Sequence, residues 1–301
     1  MLEILFLGTG ASIPSKDRSL PAVAVRSGRD IFLFDCGEGT QRQLMISPYS
    51  FMKIKVICIT HLHGDHFLGL PGLLLTMGMS GRKDKLIVAG PEGISDILNR
   101  ILRACGDELT FPLEIMEVTD GDFFDIAEVG ISVFNTKHTV PSIGFSLSEK
   151  DRVMVDSRKA SDLGVKPEDI DKIRRGAVIN GVTSKDISSG ITKGLKVVYT
   201  GDTEICEDVR IASKDADVLI HEATFGPELE DIASEHGHAT SIQTAEMAKD
   251  SDVRLLILTH VSNRYKDRTH LLEEASKVFP DTMMAEDFTH LSITKREIRL
   301  I

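Results

Sequence analysis

The stretch from Ile57 to His66, ICITHLHGDH, decides how this chain of 301 residues is interpreted. Its apolar beginning predicts a buried strand that ends at Thr60. Four side chains that bind metals follow within six residues: His61, His63, Asp65 and His66. Imidazoles and a carboxylate suit a borderline cation such as zinc. A tight turn at Gly64 would aim the first pair one way and the second pair another, so the stretch predicts ligands for two adjacent cations.

Other metal-binding side chains also follow predicted strands. They are His138 after Ile131–Phe134, Asp202 after Lys196–Thr200 and His260 after Leu255–Thr259. Each of them alone would be an ordinary core or surface residue as often as a ligand. Together with the dense cluster after Thr60, they predict one metal centre built from strand ends.

Short apolar runs alternate with helix-like segments along the chain, which predicts an α/β fold. The predicted strands are Glu3–Leu7, Ala22–Val25, Ile31–Asp35, Val56–Thr60, Leu86–Ala89, Ile131–Phe134, Lys196–Thr200, Val218–His221 and Leu255–Thr259. The predicted helices are Gly69–Met77, Ile94–Cys105, Thr240–Asp250 and Leu271–Val278. Val56–Thr60, Lys196–Thr200 and Leu255–Thr259 are nearly uninterrupted apolar runs, which predicts burial on both faces. Met77 and Met79 belong to an apolar stripe that is either core or a dimer contact.

Residues 150–194 break this rhythm, because the segment is polar and has few apolar runs. Its length far exceeds the usual connection of about 4–6 residues. A flexible linker and an ordered arm with a function both fit the composition. Between Lys150 and Tyr199 there are 11 Lys and Arg against 7 Asp and Glu, a balance of +4 in a chain of net charge −11. The acidic total disfavours a nucleic-acid partner only weakly, since the charge is unevenly spread.

The remaining composition predicts a soluble, cytoplasmic protein. The chain starts without a basic, signal-like segment, and no apolar run is long enough to cross a membrane. Its cysteines, Cys36, Cys58, Cys105 and Cys206, lie far apart and form no CxxC pair. We therefore expect no disulfides and interpret these residues as small apolar packing groups.

The order HxHxDH, a downstream His, Gly201-Asp202-Thr203 and a late His after an apolar strand resembles the metallo-β-lactamase superfamily. That resemblance implies a four-layer αββα sandwich with two metal ions at the sheet edges. It also implies a ligand assignment. His61, His63 and His138 would hold the first ion, Asp65, His66 and His260 the second, and Asp202 would bridge both.

Further phrases resemble the ribonuclease Z family over nearly the whole chain. They are LGTG at 7–10 with PSKDR at 14–18, LFDCGEGTQRQL at 33–44, HEATF at 221–225, GHAT at 237–240 and LTHVSNRY at 258–265. This resemblance implies a single domain over residues 1–301, with residues 150–194 as an inserted substrate-binding arm. It further implies two zinc ions per chain, although manganese or iron would suit the same donors. The expected partner is precursor tRNA, with no membrane, and the expected assembly is a homodimer.

The same resemblance implies roles for individual residues. The expected reaction removes the 3′ trailer from precursor tRNA by attack of a water activated between two cations, which leaves a 3′-hydroxyl on the tRNA. Asp65 would orient that water or act as general base, and His238 would protonate the leaving oxygen. Glu222 would orient His238 or a ligand histidine. The expected RNA-binding residues are Lys16, Arg18, Arg158, Lys159, Arg174 and Arg175.

Two other functions fit much of the same pattern. A small-molecule phosphodiesterase would use the same metal ligands, so only the arm and the loop at Pro14–Arg18 distinguish it. A non-catalytic RNA-binding relative would retain the fold, but the complete set of ligands argues against it. Metal content would distinguish this non-catalytic relative from either enzyme.

Overall fold

The computed structural model describes residues 1–106, 109–174 and 176–301. Its strands are β1 Leu2–Gly8, β2 Ala22–Ser27, β3 Asp30–Phe34, β4 Ile54–Cys58, β5 Leu86–Gly90, β6 Leu113–Glu117, β7 Phe123–Ile126, β8 Val129–Asn135, β9 Ile143–Glu149, β10 Arg152–Val155, β11 Ser188–Thr192, β12 Lys196–Tyr199, β13 Val218–Glu222, β14 Leu256–Thr259, β15 Thr282–Met284, β16 His290–Ile293 and β17 Ile298–Leu300. Its α-helices are α1 Thr40–Ile46, α2 Gly64–Phe67, α3 Gly69–Met79, α4 Ile94–Cys105, α5 Ser157–Asp162, α6 Pro167–Arg174, α7 Glu207–Ser213, α8 Glu230–Glu235, α9 Ser241–Asp250 and α10 Thr269–Val278.

Two large mixed sheets form the centre of the molecule. The first sheet has the order β17-β16-β1-β2-β3-β4-β5-β6, and the second has the order β15-β14-β13-β12-β9-β8-β7. Each sheet joins an antiparallel part to a parallel part, which comprises β3 to β6 in the first sheet and β12 to β15 in the second. The carboxyl ends of parallel strands share one edge, so both sheets collect polar loops at such an edge.

Alternating side chains build the layers. In β1, Leu2, Ile4 and Phe6 pack between the sheets, while Leu5 and Leu7 pack on the outer face. This is the two-residue period of a strand that is buried on both sides. Helices α1, α3 and α4 cover the outer face of the first sheet, and α7, α9 and α10 cover that of the second. The predicted αββα sandwich is confirmed.

The predicted strands and helices are all present with shifts of a few residues at their ends. Helix α9 begins at Ser241 because Thr240 caps it, accepting a hydrogen bond from the Gln243 amide in a capping box. Several strands were not predicted from the sequence, among them β9, which pairs with both β8 and β12 in the middle of the second sheet. Met77 is fully buried in the core, whereas Met79 is 82% exposed.

Residues 150–194 form a small folded unit rather than an extended linker. Strands β10 and β11 pair as an antiparallel ribbon, and α5 and α6 lie between them in sequence. The Asp156 carboxylate caps α5 by accepting the amides of Arg158 and Lys159. Ala160, Ile173, Val182 and Ile187 form an apolar cluster inside the unit.

Two expectations about the whole chain can be compared with the structure. Within residues 1–106, 109–174 and 176–301, every helix is too short or too polar to cross a bilayer. All four cysteines are free, as predicted. Cys36 and Cys58 pack in the core, and half-buried Cys206 packs against the apolar cluster on the outer face of the second sheet. Cys105 is exposed and does not behave as an apolar packing group.

Candidate metal centre

Loops at one edge of the two sheets bring the predicted ligands together. His61 and His63 follow β4, and Asp65 and His66 lie on the short helix α2. His138 lies between β8 and β9, Asp202 follows β12, and His260 directly follows β14. The seven side chains fall into overlapping groups of three whose nitrogen or oxygen atoms lie within 4.8 Å of one another.

The first group consists of His61, His63 and His138. The Nδ1 atom of His63 lies 3.1 Å from Nε2 of His61 and 3.2 Å from Nε2 of His138. Nitrogens that share a tetrahedral zinc ion, each at about 2.0–2.1 Å, are separated by roughly 3.3 Å. The spacing of these three imidazoles therefore matches that of ligands around a single cation.

The second group consists of Asp65, His66 and His260. Their facing atoms are close: Nε2 of His66 lies 3.4 Å from Nε2 of His260, and Oδ2 of Asp65 lies 3.6 Å and 3.5 Å from these two nitrogens. One carboxylate oxygen and two ring nitrogens thus converge on a second position.

Asp202 lies between the two groups. Its Oδ1 is 3.3 Å from Nε2 of both His66 and His260, and its Oδ2 is 3.9 Å from Nε2 of His61. The side chain is almost fully buried, and Oδ1 has no hydrogen-bond partner among the described residues. Buried carboxylate oxygens are normally satisfied, and a divalent cation would satisfy this one. The donor set therefore fits divalent metal ions.

Gly201 allows the turn that presents Asp202. Its φ is +62°, a left-handed conformation that disfavours residues with a side chain. A Cβ atom at this position would lie 2.6 Å from the Thr60 hydroxyl. The turn and the end of β4 thus approach each other as closely as a glycine permits.

Most of the ligand imidazoles are held through the nitrogen that faces away from the cluster. His138 Nδ1 donates to the Gly237 carbonyl at 2.7 Å, and His260 Nδ1 lies 2.9 Å from the Thr224 hydroxyl. His61 Nδ1 lies 3.0 Å from the Thr60 hydroxyl. Such partners fix ring orientation and tautomer in metal sites, leaving the inward nitrogen free to bind.

Asp35 provides the strongest of these supporting contacts. Its buried carboxylate accepts hydrogen bonds from the Thr60 amide at 2.8 Å, from His66 Nδ1 at 2.7 Å and from the Tyr199 hydroxyl at 2.8 Å. Both Asp35 and His260 have a positive φ, at 56° and 55°. Left-handed backbone is uncommon outside glycine and collects at functional sites, where the surrounding structure must hold it.

The protonation states of His61, His138 and Asp202 suit metal binding. His66 must lose a proton first, because the carboxylates of Asp202 and Asp35 outweigh burial and raise its pKa well above the usual value. Burial lowers the pKa of His61 well below its usual value and lowers that of His138, so both rings are neutral near pH 7. Although burial opposes ionisation of Asp202, the neighbouring His260 and His66 hold the pKa of that carboxyl well below its usual range. Neutral imidazoles and an ionised carboxylate are the forms that ligate cations.

His238 and Glu222 form a hydrogen-bonded pair beside the ligand groups. His238 Nδ1 donates to Glu222 Oε1 at 2.7 Å, and the Thr224 hydroxyl donates to Glu222 Oε2 at 2.6 Å. Burial favours the neutral ring, but the Glu222 carboxylate outweighs it and raises the pKa of His238 to about 9. Both ring nitrogens of His238 therefore carry a proton near neutral pH. Nδ1 is engaged by Glu222, and the side chain lines the adjoining cavity.

The cavity over the cluster has a volume of about 310 Å³ and is open to solvent. It is lined by Ala11, Ser12, His63, Asp65, His138, Thr139, Asp202, Thr224, Phe225, His236, His238, Ser262 and Arg264. A larger depression of about 510 Å³ lies at the opposite ends of the strands, beside Met1, Arg26 and Glu149. Most of its charged lining residues form ion pairs. The smaller cavity, which lies over the candidate metal ligands, is therefore the better candidate for the active site.

The predicted RNA-binding residues lie in different settings. Lys16 is exposed on the loop before β2, whereas Arg18 is buried and donates to the carbonyls of Val261 and Ser262. In residues 150–194, Arg158 and Lys159 are exposed, and Lys159 donates to the Ser188 carbonyl. Arg174 is paired with Asp171 at 2.8 Å. Arg175 lies outside the described residues.

Several residues that shape the site were not predicted from the sequence. Asp35 and Thr224 hold ligand histidines, and the Ser12 amide donates to Asp65 Oδ2 at 2.9 Å. Arg264 lines the cavity and lies over the Phe225 ring at 4.8 Å. Asp35 stands at a strand end, like the predicted ligands, and this position was the available signal. The other contacts depend on loop geometry that residue spacing does not encode.

Comparison with protein-family models gives two matches. Residues 2–182 match the model described as anti-Pycsar protein Apyc1, and residues 180–261 match the beta-lactamase superfamily domain. Several solved structures below 25% identity share the fold, among them YhfI from Bacillus subtilis, with a TM-score of 0.72 at 17% identity.

Full-length relatives are considerably more similar. The chain is 41% identical to ribonuclease Z of Archaeoglobus fulgidus, with 98% of each chain covered. It is 40% identical to ribonuclease Z of Sulfurisphaera tokodaii, covering 99% of this chain and 100% of the relative. The crystal structure of human tRNase Z, short form, superimposes with a TM-score of 0.72 at 32% identity, covering 97% of this chain and 99% of that one. The sandwich, the converging ligands and these relatives agree, and the chain belongs to the ribonuclease Z family of the metallo-β-lactamase superfamily.

Proposed function

We propose that the chain is a metal-dependent endoribonuclease that removes the 3′ trailer from precursor tRNA. The observation that carries this proposal is the convergence of His61, His63, His138, Asp65, His66, His260 and Asp202 around two adjacent positions. The full-length similarity to proteins named ribonuclease Z, and to the structure titled human tRNase Z, supports the choice of RNA as substrate.

Two zinc ions per chain are the proposed cofactors. His61, His63 and His138 would hold one ion, and Asp65, His66 and His260 the other. Asp202 would reach both, which is supported by its two oxygens facing different groups. Manganese and iron accept the same nitrogen and oxygen donors, so the identity of the cation is the less specific part of this proposal.

The proposed mechanism divides the work between the cations and the protein. When bound, the cations lower the pKa of water and neutralise charge on the scissile phosphate. Asp65 orients the attacking water and accepts its hydrogen bond. This role is supported by the hydrogen bond that the Ser12 amide donates to the same carboxylate, because it fixes the orientation of Asp65. His238 donates a proton to the leaving 3′-oxygen, and Glu222 keeps that ring protonated and oriented. The tRNA product therefore keeps a 3′-hydroxyl and the trailer a 5′-phosphate.

Substrate binding is assigned to basic side chains around the cavity and on residues 150–194. Arg264 lines the cavity and would contact phosphates or bases close to the cut. Lys16 is exposed on the loop that carries Ser12, a residue of the cavity lining, and would contact a phosphate further along the RNA. The folded unit at residues 150–194 would grip the body of the tRNA through Arg158 and Lys159. Arg174 would first have to leave Asp171, and an exposed ion pair of this kind costs only about 0.2–1 kcal/mol to break.

A homodimer in the cytoplasm is the proposed state in the cell. Exposed apolar side chains on one side of the molecule support a second copy as partner. They are Met45 and Ile46 on α1, Leu68 before α3, and Met79 at the end of α3. Exposed apolar side chains on two helices that pack together are candidates for such an interface.

A direct assay tests the proposal. A precursor tRNA with a 3′ trailer is incubated with the protein, with and without a chelator, and the cut is mapped. We expect one cut at the trailer junction that leaves a 3′-hydroxyl, stops with chelator and returns with zinc. If the protein hydrolyses a small phosphodiester but leaves the precursor intact, the alternative small-molecule phosphodiesterase is correct instead.

A further inference from the structure

The loop from Thr9 to Ser19 contacts the ligand cluster directly. The Ser12 amide donates a hydrogen bond to Oδ2 of Asp65 at 2.9 Å. This oxygen is also the one that faces His66 and His260, at 3.6 Å and 3.5 Å. A backbone amide of the loop therefore holds the same carboxylate oxygen that points into the centre.

The backbone at Ser12 is held in an unfavourable conformation. Its φ is 56°, in the left-handed region that residues with side chains rarely adopt. Ser12 is exposed, so its own side chain does not lock this conformation through burial. Strained residues persist only where surrounding contacts hold them, so the loop needs anchors on both sides of Ser12.

Asp287 is the first anchor. Its Oδ1 accepts hydrogen bonds from the amide and hydroxyl of Thr9, at 3.0 and 2.9 Å. Its Oδ2 accepts from the Ser19 amide at 2.7 Å and from the Gln43 side chain at 3.1 Å. One carboxylate thus closes both ends of the loop.

Arg18 is the second anchor. Its guanidinium, in a side chain only 8% exposed, donates to the carbonyls of Val261 and Ser262 and to Asn263 Oδ1 at 2.6 Å. Asn263 in turn donates to the Ile13 carbonyl at 2.6 Å. These contacts join the loop to the segment that follows His260, so Arg18 is committed to protein acceptors rather than free for a phosphate.

We propose that Asp287 and Arg18 are positioning residues that hold the Ser12 amide against Asp65 and thereby fix the orientation of this carboxylate for metal binding and catalysis. The role assigned to Asp65 rests on the proposed function. Loosening either anchor frees the strained backbone at Ser12, and Asp65 then loses its only amide contact from the loop. The resulting loss of activity is expected for any phosphodiester substrate, whether or not it is part of an RNA.

The test compares Asp287→Asn and Arg18→Met with a neighbouring control, Glu286→Gln. Whichever way its amide is turned, the asparagine places its NH₂ group opposite either the Thr9 N–H or the Ser19 N–H, so one end of the loop closure is lost with little change in shape. Glu286 is next in sequence to Asp287 and exposed, and its side chain pairs with Arg268 instead of the loop. Each variant is assayed for turnover and KM with precursor tRNA, turnover of bis(p-nitrophenyl) phosphate, zinc affinity by chelator competition, and melting temperature.

We expect both anchor variants to lose about 10–100-fold in turnover on both substrates and to bind one of two zinc ions more weakly. KM for precursor tRNA should stay within about threefold of the parent value, and Arg18→Lys should recover part of the loss because its ammonium still reaches a carbonyl. A rise in KM for tRNA, with zinc affinity and small-substrate turnover unchanged in folded variants, would overturn the proposal. Zinc affinity and turnover of bis(p-nitrophenyl) phosphate measure the effect of the loop on Asp65 even if the protein does not cut tRNA.

Discussion

Replacing Asp35 by Asn tests how strongly one buried carboxylate supports the metal centre. Asp35 Oδ1 accepts from the Thr60 amide, and Oδ2 accepts from His66 Nδ1 and the Tyr199 hydroxyl. Asparagine has nearly the same shape but offers one oxygen and one NH₂ group. Whichever way the amide is turned, its NH₂ group faces either the Thr60 N–H or the ring nitrogen of His66.

The expected magnitude follows from the tautomer of His66. If the NH₂ group faces His66, Nδ1 must become an acceptor, and the proton then occupies Nε2, which points towards Asp202. A protonated Nε2 cannot ligate a cation. Loss of such a supporting carboxylate typically costs 10–100-fold in metal affinity, or about 1.4–2.8 kcal/mol.

The assay is chelator competition on metal-free protein, with Asp30→Asn as the matched control. Asp30 begins the same strand at its far end and lies 3.9 Å from Lys55, away from the ligands. We expect Asp35→Asn to lower the affinity for one of two zinc ions by about 10–100-fold, while Asp30→Asn binds zinc as tightly as the parent protein. If a folded Asp35→Asn protein binds both ions as tightly as the parent, the reasoning about His66 is refuted.

Three further predictions concern the acid, the cavity and residues 150–194. His238 acts as an acid only while protonated, so its raised pKa predicts a rate that is maintained below about pH 9 and falls at higher pH. Glu222→Gln should shift this fall in rate to lower pH, and an unchanged pH profile would show that His238 is not the acid. Arg264→Lys keeps the charge but loses the planar contact with Phe225. We therefore expect KM for precursor tRNA to rise by roughly 3–10-fold with turnover nearly unchanged, and an equal rise in KM for a small phosphodiester would contradict this. Replacing Ser157–Lys185 by a short Gly-Ser linker should lower tRNA cleavage by at least tenfold and spare bis(p-nitrophenyl) phosphate, since the folded unit at residues 150–194 lies outside the ligand cluster; parallel loss of both activities would argue against a tRNA-gripping role.

The convergence of the candidate ligands could be predicted because strand ends are visible in the sequence. His61, His138 and His260 each follow an apolar run, and the packing of two sheets brings those ends together. The support from Asp35 was not assigned because it depends on the parallel pairing of β3 with β4, which places Asp35 beside Thr60. Strand order determines such contacts, and local residue spacing does not reveal it.

Strand β9 was missed for a physical reason. Strand β9 alternates Ile143, Phe145 and Leu147 with Gly144 and Ser146, a two-residue period that was present but weakened by the small residues. A Cβ atom at Gly144 would lie 2.3 Å from the Phe134 ring, so any other residue there would displace that ring.

Arg18 and Arg174 illustrate why basic residues alone do not identify an RNA surface. Arg18 is buried against backbone carbonyls, which only the folded loop reveals. Arg174 pairs with Asp171 three residues earlier on α6, a spacing that the sequence did show. Acidic neighbours on a helix therefore reduce the cationic surface that a count of Lys and Arg suggests.

Anomalous diffraction from crystals grown with zinc tests the central claim most directly. We expect two peaks per chain about 3.5–4 Å apart, one within bonding distance of His61, His63 and His138 and the other of Asp65, His66 and His260. Asp202 should contact both peaks. A single peak, or peaks bound by other side chains, would contradict the assignment of a two-cation centre to these residues.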